Sequence, residues 1–187
     1  MYIKLIQPKM HRRPMDTDIK SRMSPPLGLY TIANMFRSEH RISVENENIQ
    51  DIAFNDSPDI VGISVNVDSL PRAIAIAAEF RRQGIPVVAG GILITTARSF
   101  IPDDAFDVLC VGAAEGTWSQ IIHDMENNCL KKEYRCRGPE CAPGIFVGRV
   151  IMEMQPYQNE NISESDDCIA FSPPFGYTRA NEIFPFL

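Results

Sequence analysis

The stretch "IVGISVNVDSLPRAIAIAAEFRRQGIPVVAGGI", residues 60–92, decides the architecture. Its first run, "IVGIS", is apolar and free of charge, as expected of a strand covered on both faces. The next part has helical period: Ala73, Ile74, Ala77 and Phe80 fall on one face. Asp68 or Ser69 can cap that helix, and Gly84 stops it. "IPVVAGG" then returns as a second apolar strand. A strand, an amphipathic helix and another strand joined by short connections form the repeating unit of a parallel sheet.

The same alternation extends outward in both directions. "YIKLI" (Tyr2 to Ile6) is a short apolar strand carrying one lysine, and "KMHRRPMDTDIKSRM" after it has no period and reads as a long loop. In "SPPLGLYTIANMFRSEH", Ser24 suits an N-cap and Pro25 the first helical position. Leu29, Ile32, Ala33 and Phe36 make the apolar stripe of that helix. "RISVENENI" is a strand nearer the sheet edge, and "FDVLCVG" is a fifth strand. "EGTWSQIIHDMEN" places Trp118, Ile121, Ile122 and Met125 at helical spacing. The expected fold is a flavodoxin-like, doubly wound α/β domain over residues 1–130, with five parallel strands in the order 2-1-3-4-5. Residues 131–187 read as an irregular extension. A hairpin is expected in "YRCRGPECAPGIFVGRVIMEM", followed by an acidic stretch and the aromatic, proline-rich "FSPPFGYTRANEIFPFL". That tail reads either as a docking segment or as a strap folded back on the domain.

Composition removes several classes. A net charge of −6 argues against a nucleic-acid surface. No run approaches the length of a membrane span, and "MYIKLIQPKMHRR" lacks a signal-peptide apolar core, so a cytoplasmic location is expected. Five cysteines make an odd set, ill suited to a disulfide framework, and "CRGPEC" has no histidine after it to complete a zinc set. No G-x-G-x-x-G, P-loop or G-x-S-x-G occurs, which removes the usual dinucleotide, nucleotide and hydrolase fingerprints. His40 and His123 read as surface residues.

In a sheet of this kind a ligand lies beyond the carboxyl ends of the strands. Those ends are the loop from Pro8, "SVNVD", "GGILI" and "VGAAEG". Ser64 and Asn66 bring a hydroxyl and an amide there, and Gly112 precedes amides able to receive an oxygen-rich group. Gly90 and Gly91 either leave room for a flat ligand against the backbone or simply form a turn. On the first reading, a large side chain at Gly91 blocks the ligand with modest loss of fold.

"MSPPLGLYTIANMF", "PDIVGISV", "GIPVVAGGI" and "FDVLCVGAAEGTWSQII", in that order, resemble the cobalamin-binding domain at the front of B12-dependent radical SAM enzymes. The resemblance covers residues 1 to about 130. It implies that Ser64, Val65, Asn66, Val67, Gly90, Gly91, Ile92, Val111, Gly112, Ala113, Glu115 and Gly116 surround the corrin ring and its nucleotide tail. It differs from the family at "GAAE", where Ala113 and Ala114 replace a carboxylate and a glycine. The D-x-H-x-x-G motif that supplies a lower axial histidine in other B12 domains is not found, so base-off cobalamin without a histidine ligand and no metal-ligating residue are expected. His11, in "KMHRRP", is the minor alternative as cobalt ligand. No C-x-x-x-C-x-x-C is present to hold the cluster that cleaves S-adenosylmethionine, so a stand-alone or split module serving a methyl-transfer or radical SAM partner is implied. The alternatives are a ligand-free interaction module derived from a B12-binding fold, and a flavin-binding protein of the same fold.

Overall fold

The computed structural model describes residues 1–11 and 25–136, together with two short strands farther along. The chain divides into two units, Met1–Ile145 and Phe146–Leu187. In the first, β1 (Tyr2–Gln7), β2 (Arg41–Asn46), β3 (Ile60–Ser64), β4 (Val87–Gly90), β5 (Val108–Val111) and β6 (Glu133–Arg135) form one sheet. All five pairings are parallel, in the order β2-β1-β3-β4-β5-β6. The helices are α1 (Leu27–Phe36), α2 (Leu70–Arg82), the short α3 (Ile92–Thr96) and α4 (Trp118–Glu126). In the second unit, β7 (Ile169–Phe171) and β8 (Tyr177–Arg179) pair antiparallel, where the sequence reads as irregular.

The expected doubly wound order is present and gains a sixth strand beyond residue 130. The sheet therefore has six strands, not five. Tyr134 holds β6 in place: it is 3% exposed, and its hydroxyl donates to the Asp124 carboxylate of α4 at 2.8 Å. The Lys131 amide donates back to that hydroxyl at 3.0 Å. The bond from Tyr134, with Lys131 and His123 nearby, outweighs partial burial and keeps Asp124 below the usual carboxylate range. The expected hairpin over 134–154 thus begins instead as a parallel strand, and the rest of it lies outside the described residues.

Alternation along the strands sorts residues between two layers. Ile6, Val61, Ile63, Val65, Val87, Ala89, Leu109 and Val111 turn one way and pack with Ala73, Ile76, Ala77 and Phe80 of α2 and Leu93 and Ile94 of α3. Ile76 is fully buried and Ile74 only partly, so the inward stripe of α2 is rotated slightly from the expected one. Gly84, at φ +79°, closes the helix as expected. The other helix differs at its start. It begins at Leu27, after Pro26, and not at Pro25; Ser24 lies outside the described residues. A proline disfavours helical backbone in the residue before it, so the Pro25-Pro26 pair delays the first turn.

Lys4 is fully buried, which the apolar strand around it conceals. Its ammonium lies 2.9 Å from Glu45 and 2.8 Å from Asp56, and donates also to the Ala53 carbonyl. Asp56 accepts from the Tyr2 hydroxyl at 2.6 Å. Burial pushes the Asp56 carboxyl up, but the bonds from Lys4 and Tyr2 prevail and hold it below the usual range. A buried cation is tolerated only when paired in this way. Among the described residues no helix is long and apolar enough to cross a membrane.

Candidate functional site

On the sheet face opposite the α2 core, the ends of the strands carry small side chains. Gly62 and Ser64 of β3, Gly90 of β4 and Gly112 after β5 follow one another across it, with Ser64 in register with Gly90. This shallow floor lies beneath α1 on one side and the start of α4 on the other, and the cleft holds about 490 Å³. That volume is within the range of small-molecule sites. Leu27, Gly28, Leu29 and Ile32 of α1 line one wall; Ala113 to Glu115 and Trp118 line the other. Gln7, at the end of β1, and Ile92 and Thr95 of α3 complete it.

Each glycine here has a different cause. A Cβ at Gly62 would lie 2.7 Å from the Trp118 ring and 2.8 Å from Leu5, so glycine lets the indole close on the sheet. Gly91 has φ +104°, and a Cβ there would meet the Val65 backbone at 2.9 Å. The turn requires glycine there, so a side chain would strain the fold, contrary to the expected modest loss; Gly91 lines the cleft as well. Gly28 is different: a Cβ there would meet nothing within 4 Å among the described residues. It is helical and lines the cleft, so the fold gives no reason for glycine at that position.

Thr95 joins the two loops that border the cleft. Its hydroxyl donates to the Gly91 carbonyl at 3.1 Å and accepts from the Gly112 amide at 3.0 Å. Cys110 sits beside Gly90 on the same face of the sheet, where a Cβ on Gly90 would be 3.6 Å from its own. Burial raises the Cys110 thiol pKa against the opposing hydrogen bond with Thr117, and Glu115 pushes it further, so this free cysteine is a neutral thiol. Cys136 is disulfide-bonded and Cys129 is free. Among the described residues no cluster of three or more His, Cys, Asp or Glu is arranged to hold a metal.

Of the twelve residues singled out from the sequence, Ser64, Gly90, Gly91, Ile92, Gly112, Ala113 and Glu115 line the cleft. Val65 and Val111 belong to the α2 core on the opposite face. Asn66 caps the turn Val67–Ser69, its amide donating to the Ser69 hydroxyl at 3.0 Å. Val67 is 70% exposed and, like Gly116, lies off the cleft lining. His11 is exposed, fixed by a bond from its amide to the Asp68 carbonyl at 3.0 Å, and is not among the lining residues. Sequence reasoning missed Gln7, Gly28, Gly62, Thr95 and Trp118. Strand alternation, counted inward from Ser64, would have indicated Gly62.

The residues present suit a corrinoid tail: an open space over Gly28, a small-residue floor and a partly apolar wall. Comparison with known proteins points the same way. The B12 binding domain family matches residues 22–122. Bacteriochlorophyllide d C-8(2)-methyltransferase of Chlorobaculum tepidum is 33% identical over 124 residues, covering 64% of this chain and 27% of that protein. An uncharacterized methyltransferase of Pyrococcus horikoshii is 29% identical over 114 residues, or 52% of this chain and 24% of that protein. The chain thus spans about a quarter of each of these relatives. Four ordered motifs, a six-stranded doubly wound sheet and the family match over its centre agree: the chain belongs to the B12-binding domain family.

Proposed function

We propose that this chain holds a corrinoid, tail down, in the cleft between α1 and α4, and serves a methyl-transfer reaction carried out with a partner protein or a radical SAM component. The observation that carries this is the run of small residues Gly62, Ser64, Gly90 and Gly112 along one face, under an unfilled space at Gly28. When bound, the cobalt of a corrinoid accepts and donates a methyl group. The protein's own part is to seat and orient it. Thr95 fixes the spacing of the Gly91 and Gly112 loops, and Trp118 and α1 keep water from the tail. The exposed Ile92, at 60%, offers an apolar rest for the ring at the mouth. A tail seated in the cleft would leave cobalt without its own base, so the expected bound state is base-off.

Incubating the full chain with hydroxocobalamin, desalting it and recording its absorbance tests this reading. About one corrinoid per chain with a base-off spectrum is expected. Failure to retain any at micromolar concentration would favour the ligand-free interaction module, for which Ala113 and Ala114 in the fifth loop are the supporting feature. Displacement of the corrinoid by flavin mononucleotide in competition would favour the flavin reading.

A further inference from the structure

Gln7 closes β1 at the cleft end of the sheet, one position beyond the Ile6–Ile63 pairing and so beside Ser64. Its carbonyl accepts from the Glu47 amide at 2.9 Å, which fixes its backbone. Only 9% of the residue is exposed, and it lines the cleft. Its carboxamide makes no hydrogen bond among the described residues. Among the described residues the buried and unpaired side-chain atoms are His40 Nδ1, Asn46 Nδ2 and Asp56 Oδ1; the Gln7 carboxamide is not sealed in that way and reaches the cleft with its donor and acceptor uncommitted. Of the amide, hydroxyl and carboxyl groups that line this cleft, the Thr95 hydroxyl is already committed to two loops, while Ser64 and Glu115 are only half-buried. Among these lining groups Gln7 is the most buried.

A carboxamide offers an N–H donor beside a carbonyl acceptor. A corrinoid tail buried with its base off cobalt carries a ring nitrogen whose lone pair has lost its metal and needs a donor. We infer that Gln7 is a specificity-determining residue that reads the heteroaromatic base of the tail, its NH₂ donating to that freed ring nitrogen. This rests on the corrinoid reading above. The direction of the bond makes a carboxylate at this position a poor substitute, because an ionised carboxylate cannot donate.

The test uses the full chain, with cobalamin and with cobinamide, which has the same ring but no nucleotide. Dissociation constants are measured by absorbance titration and folding by thermal melting. Gln7→Leu is expected to weaken cobalamin about tenfold, the loss of one hydrogen bond, and to leave cobinamide within about twofold. Gln7→Glu should show the same split, and so should Gln7→Ser, which removes the reach without adding apolar bulk, should Gln7→Leu fold poorly. Unchanged cobalamin affinity in these variants overturns the assignment, and equal losses for both ligands place Gln7 against the ring instead of the base. If the unaltered chain binds neither ligand, the corrinoid reading fails and this assignment with it. If it binds both and the variants change nothing, only the assignment fails.

Discussion

The two faces of one sheet show how a single set of strands can carry both a core and a cleft. Along β3, Val61 and Ile63 point into an apolar layer with Phe80 and Ile76. One residue away in each direction, Gly62 and Ser64 face the space below α1. The difference is side-chain volume, assigned by period-2 alternation. Filling one face gives stability; leaving the other thin gives room for a ligand. The same backbone therefore answers to two different selection rules within a distance of one residue.

Phe80→Ala should break the filled face most. The ring is fully buried and lies 5.1 Å from that of Phe54, so truncation should cost about 3–5 kcal/mol in urea unfolding. A loss below about 1 kcal/mol, as for a surface residue, would mean this layer is not the main core. Gly91→Ala comes next. It forces a side chain into a left-handed turn, with its Cβ 2.9 Å from Val65, and should cost about 1–3 kcal/mol whether or not a ligand is present. Equal stability with lost corrinoid would return Gly91 to a purely ligand-facing role. Smallest is Gly28→Ala. It replaces glycine in a helix where a Cβ has nothing to strike, so folding stability should hold or rise by up to about 1 kcal/mol. Corrinoid retention should fall, and Gly28→Leu should reduce it further. If Gly28→Leu retains cobalamin unchanged, the space over α1 is not ligand space and the two faces differ less than proposed.

Much of the fold was legible because β3 and β4 are charge-free, mostly apolar runs on either side of the long, strongly patterned α2. Ile60 to Ser64 is an uninterrupted apolar run, and Ala73 to Phe80 repeats at helical spacing. β6 was not legible: it is three residues long, two of them charged, and it is held by pairing with β5 and by the bond from Tyr134 to Asp124 of the preceding helix. The site was half legible. The loops are recognisable because strand ends carry a clear sequence pattern, but only alternate residues there face the cleft. Ser64 faces it, whereas Val65 points into the other layer. Gly28 and Gln7 were missed because a helix start and a strand end carry no local sign of what they face across a cleft.

β6 also has a consequence for how the sheet meets its surroundings. β5 (Val108–Val111) is wholly apolar and buried, a strand whose free backbone would invite pairing with another molecule. β6 covers that edge and replaces it with a three-residue strand that carries Glu133 and Arg135 on either side of Tyr134. Short, charged edges resist strand-to-strand aggregation. Ending the domain at residue 130 would therefore strip away a guard against self-association and leave β5 as a sticky edge, even though every loop that borders the cleft would still be present.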